Sequence, residues 1–426
     1  MRHTVEEVVL RSGARGLIIN IPDAPVMSTL FQFRAGDRYA KDGKDQTAHV
    51  MEHLAFGANA KFPDAHSFDE EFTKNGAWNN AWTSNYDMCY VAECADFEWE
   101  RILELQKLTI CSPKFIQSEL DGELGNVKSE LTGYLNEPNR VLWPRIGQEL
   151  GEKNLTWQEK LETLPNITLS DIRDHYRRTH TAENMRFVVA GNFSDQETKL
   201  KSILNDFGLK QGERMSVPVD DIHSFEPFAV RRKDISNITF GLTINTPRRL
   251  SDAESTAMDC MDHILNGTLH GLILGEARKR GLTYDVWSGT GRYEYNSAWD
   301  FGGEVNIERI DELFDLIVEV LLRIKSGELD EKLLDATKLY AMGRHQMGNQ
   351  TVSQLANWYG RRYFFDGFVD DFDDSIERIE AVTKGQIIAT VRELFEANIW
   401  GLGLYGSTDK ATAERLYTKV QVLFDD

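Results

Sequence analysis

Apolar residues along this chain recur with two periods, and the alternation between those periods predicts the architecture. Short apolar runs of roughly five to eight residues, typified by Phe187–Ala190, read as strands, and amphipathic stretches such as Ser194–Phe207 read as helices. Residues 77–94 read as a hairpin. Its first arm is AWNNAWT, and its second, YDMCYVAEC, has apolar positions at every second residue. The stretch 46–57 (QTAHVMEHLAFG) predicts a helix, since Ala, Met, Glu and Leu are good helix formers and no Pro or Gly intervenes before Gly57. A second helix is predicted over 118–135 (SELDGELGNVKSELTGYL), and a last amphipathic one over Thr408–Leu423. Clustered antiparallel strands with helices over one face make the fold class α+β.

The pattern is written twice. Residues 26–38 (VMSTLFQFRAGDR) lead into a helix ending HLAFG at Gly57, and residues 238–249 (ITFGLTINTPRR) lead into a helix ending HILNG at Gly267. An offset of about 210 residues sets His53 on His263, Glu52 on Asp262, His49 on Asp259 and Glu130 on Tyr340. Near the ends of the halves an offset of about 215 matches the block beginning at Thr168 to the one beginning at Thr383. A chain of 426 residues also exceeds what one core supports. The expectation is two homologous domains, 1–213 and 227–426, with a linker at 214–226 announced by the polar loop 211–221.

Chemistry enters with His49, Glu52 and His53. Positions i, i+3 and i+4 share one helical face, so both imidazoles and the carboxylate project the same way. Two histidines on one turn can reach a common zinc ion, and a catalytic site needs a third protein ligand while keeping one position open. Glu52 is placed to be the base that takes a proton from a metal-activated water. The third ligand is expected from a facing helix, where Glu119, Glu123 and Glu130 are the choices; spacing alone does not decide among them.

The order H-x-x-E-H followed by Glu130 resembles the signature of the inverzincins, the pitrilysin family of zinc peptidases. Flanking blocks resemble that family too: GAWNNAWTSNY (76–86), LPNITLSDI (164–172) and ENMRFVVAGNF (183–193). The resemblance spans nearly the whole chain. It implies one zinc ion per chain on His49, His53 and Glu130, with Glu52 as the catalytic base and Glu123 as a partner orienting a ligand. It further implies substrate binding along the strand holding Asn80 and Ala81. From the second half, Tyr284 in GLTY (281–284) is implied to reach the reacting carbonyl. The arginine that accompanies it departs from the family pattern: Ala277 stands near its usual place, with Arg278 and Arg280 just after. The second domain is implied to carry a degenerate site.

Composition narrows the function. A net charge of −20 argues against a nucleic-acid binder, because phosphate neutralisation needs an excess of Lys and Arg. No run of 18 apolar residues is present, and the opening MRHTVEEVV has no signal-peptide character, so a cytoplasmic protein without a membrane span is expected. Cys89, Cys94, Cys111 and Cys260 form no C-x-x-C pair and read as small buried or half-buried residues. The sequence thus points to a zinc endopeptidase of short or unfolded peptides. Half-length chains of the family imply pairing, as a homodimer or with a related chain, into a clamshell. The alternative is a non-catalytic or partner-dependent subunit serving as scaffold.

Overall fold

The computed structural model describes residues 1–425, which form two compact units. Unit 1 holds residues 1–132, 158–218 and 346–372, and unit 2 holds residues 133–157, 219–345 and 373–426. Each unit is built on one sheet. In unit 1 the strands are β1 (Thr4–Val9), β2 (Arg15–Asn20), β3 (Val26–Phe33), β4 (Trp78–Thr83), β5 (Met88–Ala95) and β6 (Met185–Gly191), in the order β1-β2-β6-β3-β5-β4. In unit 2 they are β7 (Phe228–Arg231), β8 (Asn237–Thr246), β9 (Asp285–Arg292), β10 (Ser297–Asn306) and β11 (Ile399–Gly406), in the order β7-β11-β8-β10-β9.

Without β1 the two orders are the same, strand for strand. β2 pairs in parallel with β6 as β7 does with β11, and the other pairings are antiparallel in both sheets. The sequence duplication is therefore a duplication of topology. The fold is α+β, with two antiparallel-dominated sheets and helices packed on them.

Alternation along the strands shows what covers each face. In β8, Phe240, Leu242 and Ile244 join the main core of unit 2, and Gly241 and Thr243 point the other way. That other face receives helix Pro138–Leu150, whose Leu142 and Ile146 lie over the glycines; a Cβ on Gly241 would stand 2.5 Å from the Ile146 Cδ1. In unit 1 the equivalent face, with Leu30, Val188 and Val91, is covered by Leu355, Ala356 and Tyr359 of helix Val352–Asp366. The helices of each half thus lie over one face of their own sheet. The opposite face of each sheet takes a helix from the other half of the chain, and these two helices occupy corresponding places in the repeat.

Candidate zinc site

The site lies in unit 1, where two helices meet. Helix Thr47–Ala55 buries Ala48, Val50, Met51, Leu54 and Ala55, which turns His49 and His53 toward helix Gln117–Tyr134. The second helix is fixed by buried Leu120, Val127 and Leu131, and this apolar stripe brings Glu123 and Glu130 to the histidines. Gly57 ends the first helix where a side chain would collide with Glu119, whose carboxylate accepts the Ala58 N–H at 3.0 Å. Glu119 also takes the Ala65 N–H at 3.2 Å. It anchors the loop after the helix, and that role separates it from Glu130.

One ligand atom from each of His49, His53 and Glu130 falls within 4.8 Å of the others. The Glu130 Oε2 is 3.5 Å from the His49 Nε2 and 3.7 Å from the His53 Nε2. Tetrahedral zinc with bonds of about 2.0 Å sets neighbouring ligand atoms about 3.3 Å apart, and the Glu130 carboxylate stands within a few tenths of an ångström of that spacing from each imidazole. The outer nitrogens fit as well. The His53 Nδ1 meets the Glu123 carboxylate at 2.8 Å and the His49 Nδ1 meets the Gln46 Oε1 at 3.0 Å. Both partners are acceptors there, so each Nδ1 carries the proton and each Nε2 keeps its lone pair for a metal. Two imidazoles and one carboxylate form the donor set of a catalytic zinc centre.

Glu52 is 8 % exposed, and its Oε2 accepts a hydrogen bond from the Thr83 Oγ1 at 2.5 Å. Burial pushes its carboxyl pKa up, against the opposing pull of Thr83, His49 and His53. Thr83 and Gln46 escaped the sequence reading. Gln46 could have been found, because it stands three residues before His49 on the same helical face. No spacing signal marked Thr83, which reaches Glu52 only because β4 runs beside the helix.

β4 is the last strand of its sheet, with one edge unpaired among the described residues. Thr83 and Ala81 share the face toward the helix, and the two-residue period sends Asn80 to the opposite face. The Asn80 Oδ1 accepts the Ala81 N–H at 2.9 Å. A cavity of about 230 Å³ at this edge is lined by Phe56, Phe68, Asp69, Asn79 and Asn80. Tyr284, Arg278 and Arg280 belong to unit 2. The Arg278 guanidinium lies 3.9 Å from the centre of the Tyr284 ring, Tyr284 is exposed, and Arg280 pairs with Glu276 at 2.7 Å.

The second half keeps the helices and changes the chemistry. On helix Asp252–Asn266, Asp262 stands where Glu52 stands, and it accepts hydrogen bonds from the Ser288 Oγ (2.5 Å), the Trp299 Nε1 (2.8 Å) and the Thr290 Oγ1 (3.0 Å). Burial raises its pKa to about 6 against those three donors. Tyr340, on helix Glu331–Met347, faces His263 edge-on at 5.3 Å between ring centres, where Glu130 faces the histidines of the first half. The four cysteines are free, and no helix among the described residues is long and apolar enough to cross a membrane.

Comparison with known proteins bears on the family. Residues 16–154 match the family model described as "Insulinase (Peptidase family M16)", and residues 166–339 match "Peptidase M16 inactive domain". The uncharacterized zinc protease YmxG of Bacillus subtilis is 21% identical over 400 residues, which is 92% of this chain and 96% of that protein. The zinc protease PqqE of Helicobacter pylori is 24% identical over 351 residues, or 78% of each chain. The crystal structure of a protease from Helicobacter pylori superposes with a TM-score of 0.84 at 19% identity, covering 95% of this chain and 100% of that one. Two models of one family, matched in succession over well over half of the residues, make this chain a member of the M16 family of peptidases, of the half-length type.

Proposed function

We propose that this chain is a zinc-dependent endopeptidase acting on short or unfolded peptides. The observation that carries the reading is the meeting of His49, His53 and Glu130 at separations suited to one zinc ion, with buried Glu52 held alongside by Thr83. Zinc bound there supplies a Lewis acid that activates water and polarises the scissile carbonyl. Glu52 takes the proton from the attacking water and delivers it to the leaving amine, and its raised pKa suits a base that must give the proton back. Thr83 holds the Oε2, which leaves the Oε1 for the transfer.

An extended peptide joins the open edge of β4, where main-chain hydrogen bonds serve any sequence. Ala81 then exchanges the Asn80 Oδ1 for a peptide carbonyl, and the freed carboxamide of Asn80 binds the peptide in turn. The cavity between Phe56, Phe68 and Asp69 receives a side chain. Tyr284 is the proposed donor to the reacting carbonyl, with Arg278 holding its ring. A second chain of the family, identical or related, is the proposed partner. Activity that depends on such a partner is the second reading, and it is supported by the loss of ligand positions in the second half.

The test is a digest of a peptide mixture read by mass spectrometry, with wild type beside Glu52→Gln and the zinc content of both measured. Zinc in both, with hydrolysis lowered roughly 100- to 10,000-fold in the variant, is the expected result. Zinc in both with no cleavage by either points to a missing partner. Wild type that takes up no zinc overturns the proposal.

A further inference from the structure

The two histidines are oriented by different means. The Nδ1 of His53 faces the Glu123 carboxylate, which accepts a hydrogen bond whichever way it turns. The Nδ1 of His49 faces the side-chain amide of Gln46, and an amide can turn over. Turned over, it offers N–H instead of C=O, the His49 Nδ1 becomes the acceptor, and the proton moves to the Nε2. An imidazole in that form keeps its lone pair on Nδ1, turned away from the site, and has none on Nε2.

A buried chain sets the amide one way. The Gln46 Nε2 donates to the Asp37 Oδ2 at 3.0 Å, and the Lys160 Nζ donates to the same oxygen at 2.7 Å. Gln46 is 1 % exposed, Lys160 5 % and Asp37 8 %. Lysine only donates and an ionised carboxylate only accepts, so the chain has a single consistent direction: Lys160 to Asp37, Gln46 to Asp37, His49 to Gln46. An ion pair buried this deeply adds little net stability, because desolvation of both charges opposes their attraction. Stability therefore does not account for its presence, and direction does. Without Lys160 the Asp37 carboxylate loses the donor at 2.7 Å that holds its Oδ2 in place for Gln46, and the amide is no longer held in one direction.

We infer that Lys160, through Asp37 and Gln46, is a positioning residue that fixes His49 in the tautomer able to bind a metal. The inference rests on the zinc reading of His49, His53 and Glu130. It is tested on the full chain by zinc affinity, measured in competition with a chromogenic chelator. Lys160→Met is expected to weaken zinc about tenfold, the effect typical of losing a group behind a ligand. Lys160→Met combined with Asp37→Asn is expected to recover none of that loss, because an Asn amide can turn over as Gln46 can and fixes no direction. Gln46→Leu removes the acceptor itself and is expected to match Lys160→Met. Nitrogen chemical shifts of His49 in metal-free protein at alkaline pH supply the second readout, with the proton on Nδ1 in wild type and on Nε2 in Lys160→Met.

Unchanged zinc affinity in Lys160→Met, its recovery by Asp37→Asn, or a loss that leaves the tautomer as it was, overturns the inference. His53→Ala serves as the control. If it too leaves zinc binding unchanged, the zinc reading itself has failed; if it alone abolishes binding, only the relay has.

Discussion

Glu52 and Asp262 stand at corresponding points of a duplicated unit, each on a helix that faces a second helix, and they are held differently. Glu52 receives one hydrogen bond, from Thr83, and has two imidazoles beside it. Asp262 receives three, from Ser288, Thr290 and Trp299, and the next residue on its helix, His263, meets the ring of Tyr340. A carboxylate with three donors has its lone pairs engaged and serves as a strut. One that takes a single donor keeps an oxygen for proton transfer. The number of donors is the clearest difference between the two carboxylates.

The widest separation between the two comes from deleting each carboxylate. Asp262→Ala leaves two hydroxyls and the indole N–H of fully buried Trp299 without their acceptor. At about 1–3 kcal/mol for each abandoned donor, unit 2 is expected to lose about 3 kcal/mol or more, while the zinc content stays at one per chain. Glu52→Ala is expected to cost less, about 1 kcal/mol, because it abandons a single donor, Thr83. Urea denaturation of both variants, with zinc measured alongside, checks the pair. Equal losses of stability would erase the distinction drawn between strut and base.

Acid sharpens the contrast. The Asp262 carboxyl titrates at about 6 in the folded chain against 3.8 for the ordinary group, so folding favours its protonated form. Its contribution is fully present below pH 3.8 and is lost as pH rises through about 6, a change of about 3 kcal/mol. His175 in unit 1 runs the other way: burial lowers its pKa from 6.5 to about 4, so its contribution is present above pH 6.5 and lost as pH falls toward 4. Asp262→Asn, which mimics the protonated form, should gain on wild type by about 3 kcal/mol between pH 4 and pH 7 in urea denaturation. A difference that stays flat across that window would mean that the three donors already hold the carboxylate ionised.

Much of this was legible in the sequence, and the part that was not has a common cause. Helical spacing put His49, Glu52 and His53 on one face, and the repeat put Asp262 and Tyr340 opposite them, because these are periodic relations along one chain. Which sheet a helix covers is not periodic. The apolar stripe Leu142, Ile146 and Leu150 announces a buried face without saying that the glycines of β8 and β11 receive it. The exchange of Pro138–Leu150 and Val352–Asp366 between the halves of the chain was invisible for that reason. Thr83 was missed likewise, since its bond to Glu52 joins a strand to a helix thirty-one residues away. Spacing left Glu119, Glu123 and Glu130 open and the family resemblance named Glu130; what no pattern showed is that Glu119 is taken up by backbone N–H groups of the loop after Gly57.

The finest test makes the same small change on both sides. Thr83→Val removes the hydroxyl that holds the Glu52 Oε2, and Thr290→Val removes the one that holds the Asp262 Oδ2. Valine nearly matches threonine in shape, so each substitution deletes one hydrogen bond and little packing. At Thr83 the loss is one of orientation: kcat is expected to fall roughly three- to tenfold, about 1 kcal/mol, with zinc affinity unchanged and Thr83→Ser largely restoring the rate. At Thr290 the loss is one of support: kcat stays as it was, and unfolding requires about 1 kcal/mol less. Steady-state kinetics and urea denaturation on the two variants read both effects. If Thr83→Val lowered stability and left kcat untouched, Thr83 would be a strut as Thr290 is, and Glu52 would owe its readiness as a base to the histidines alone.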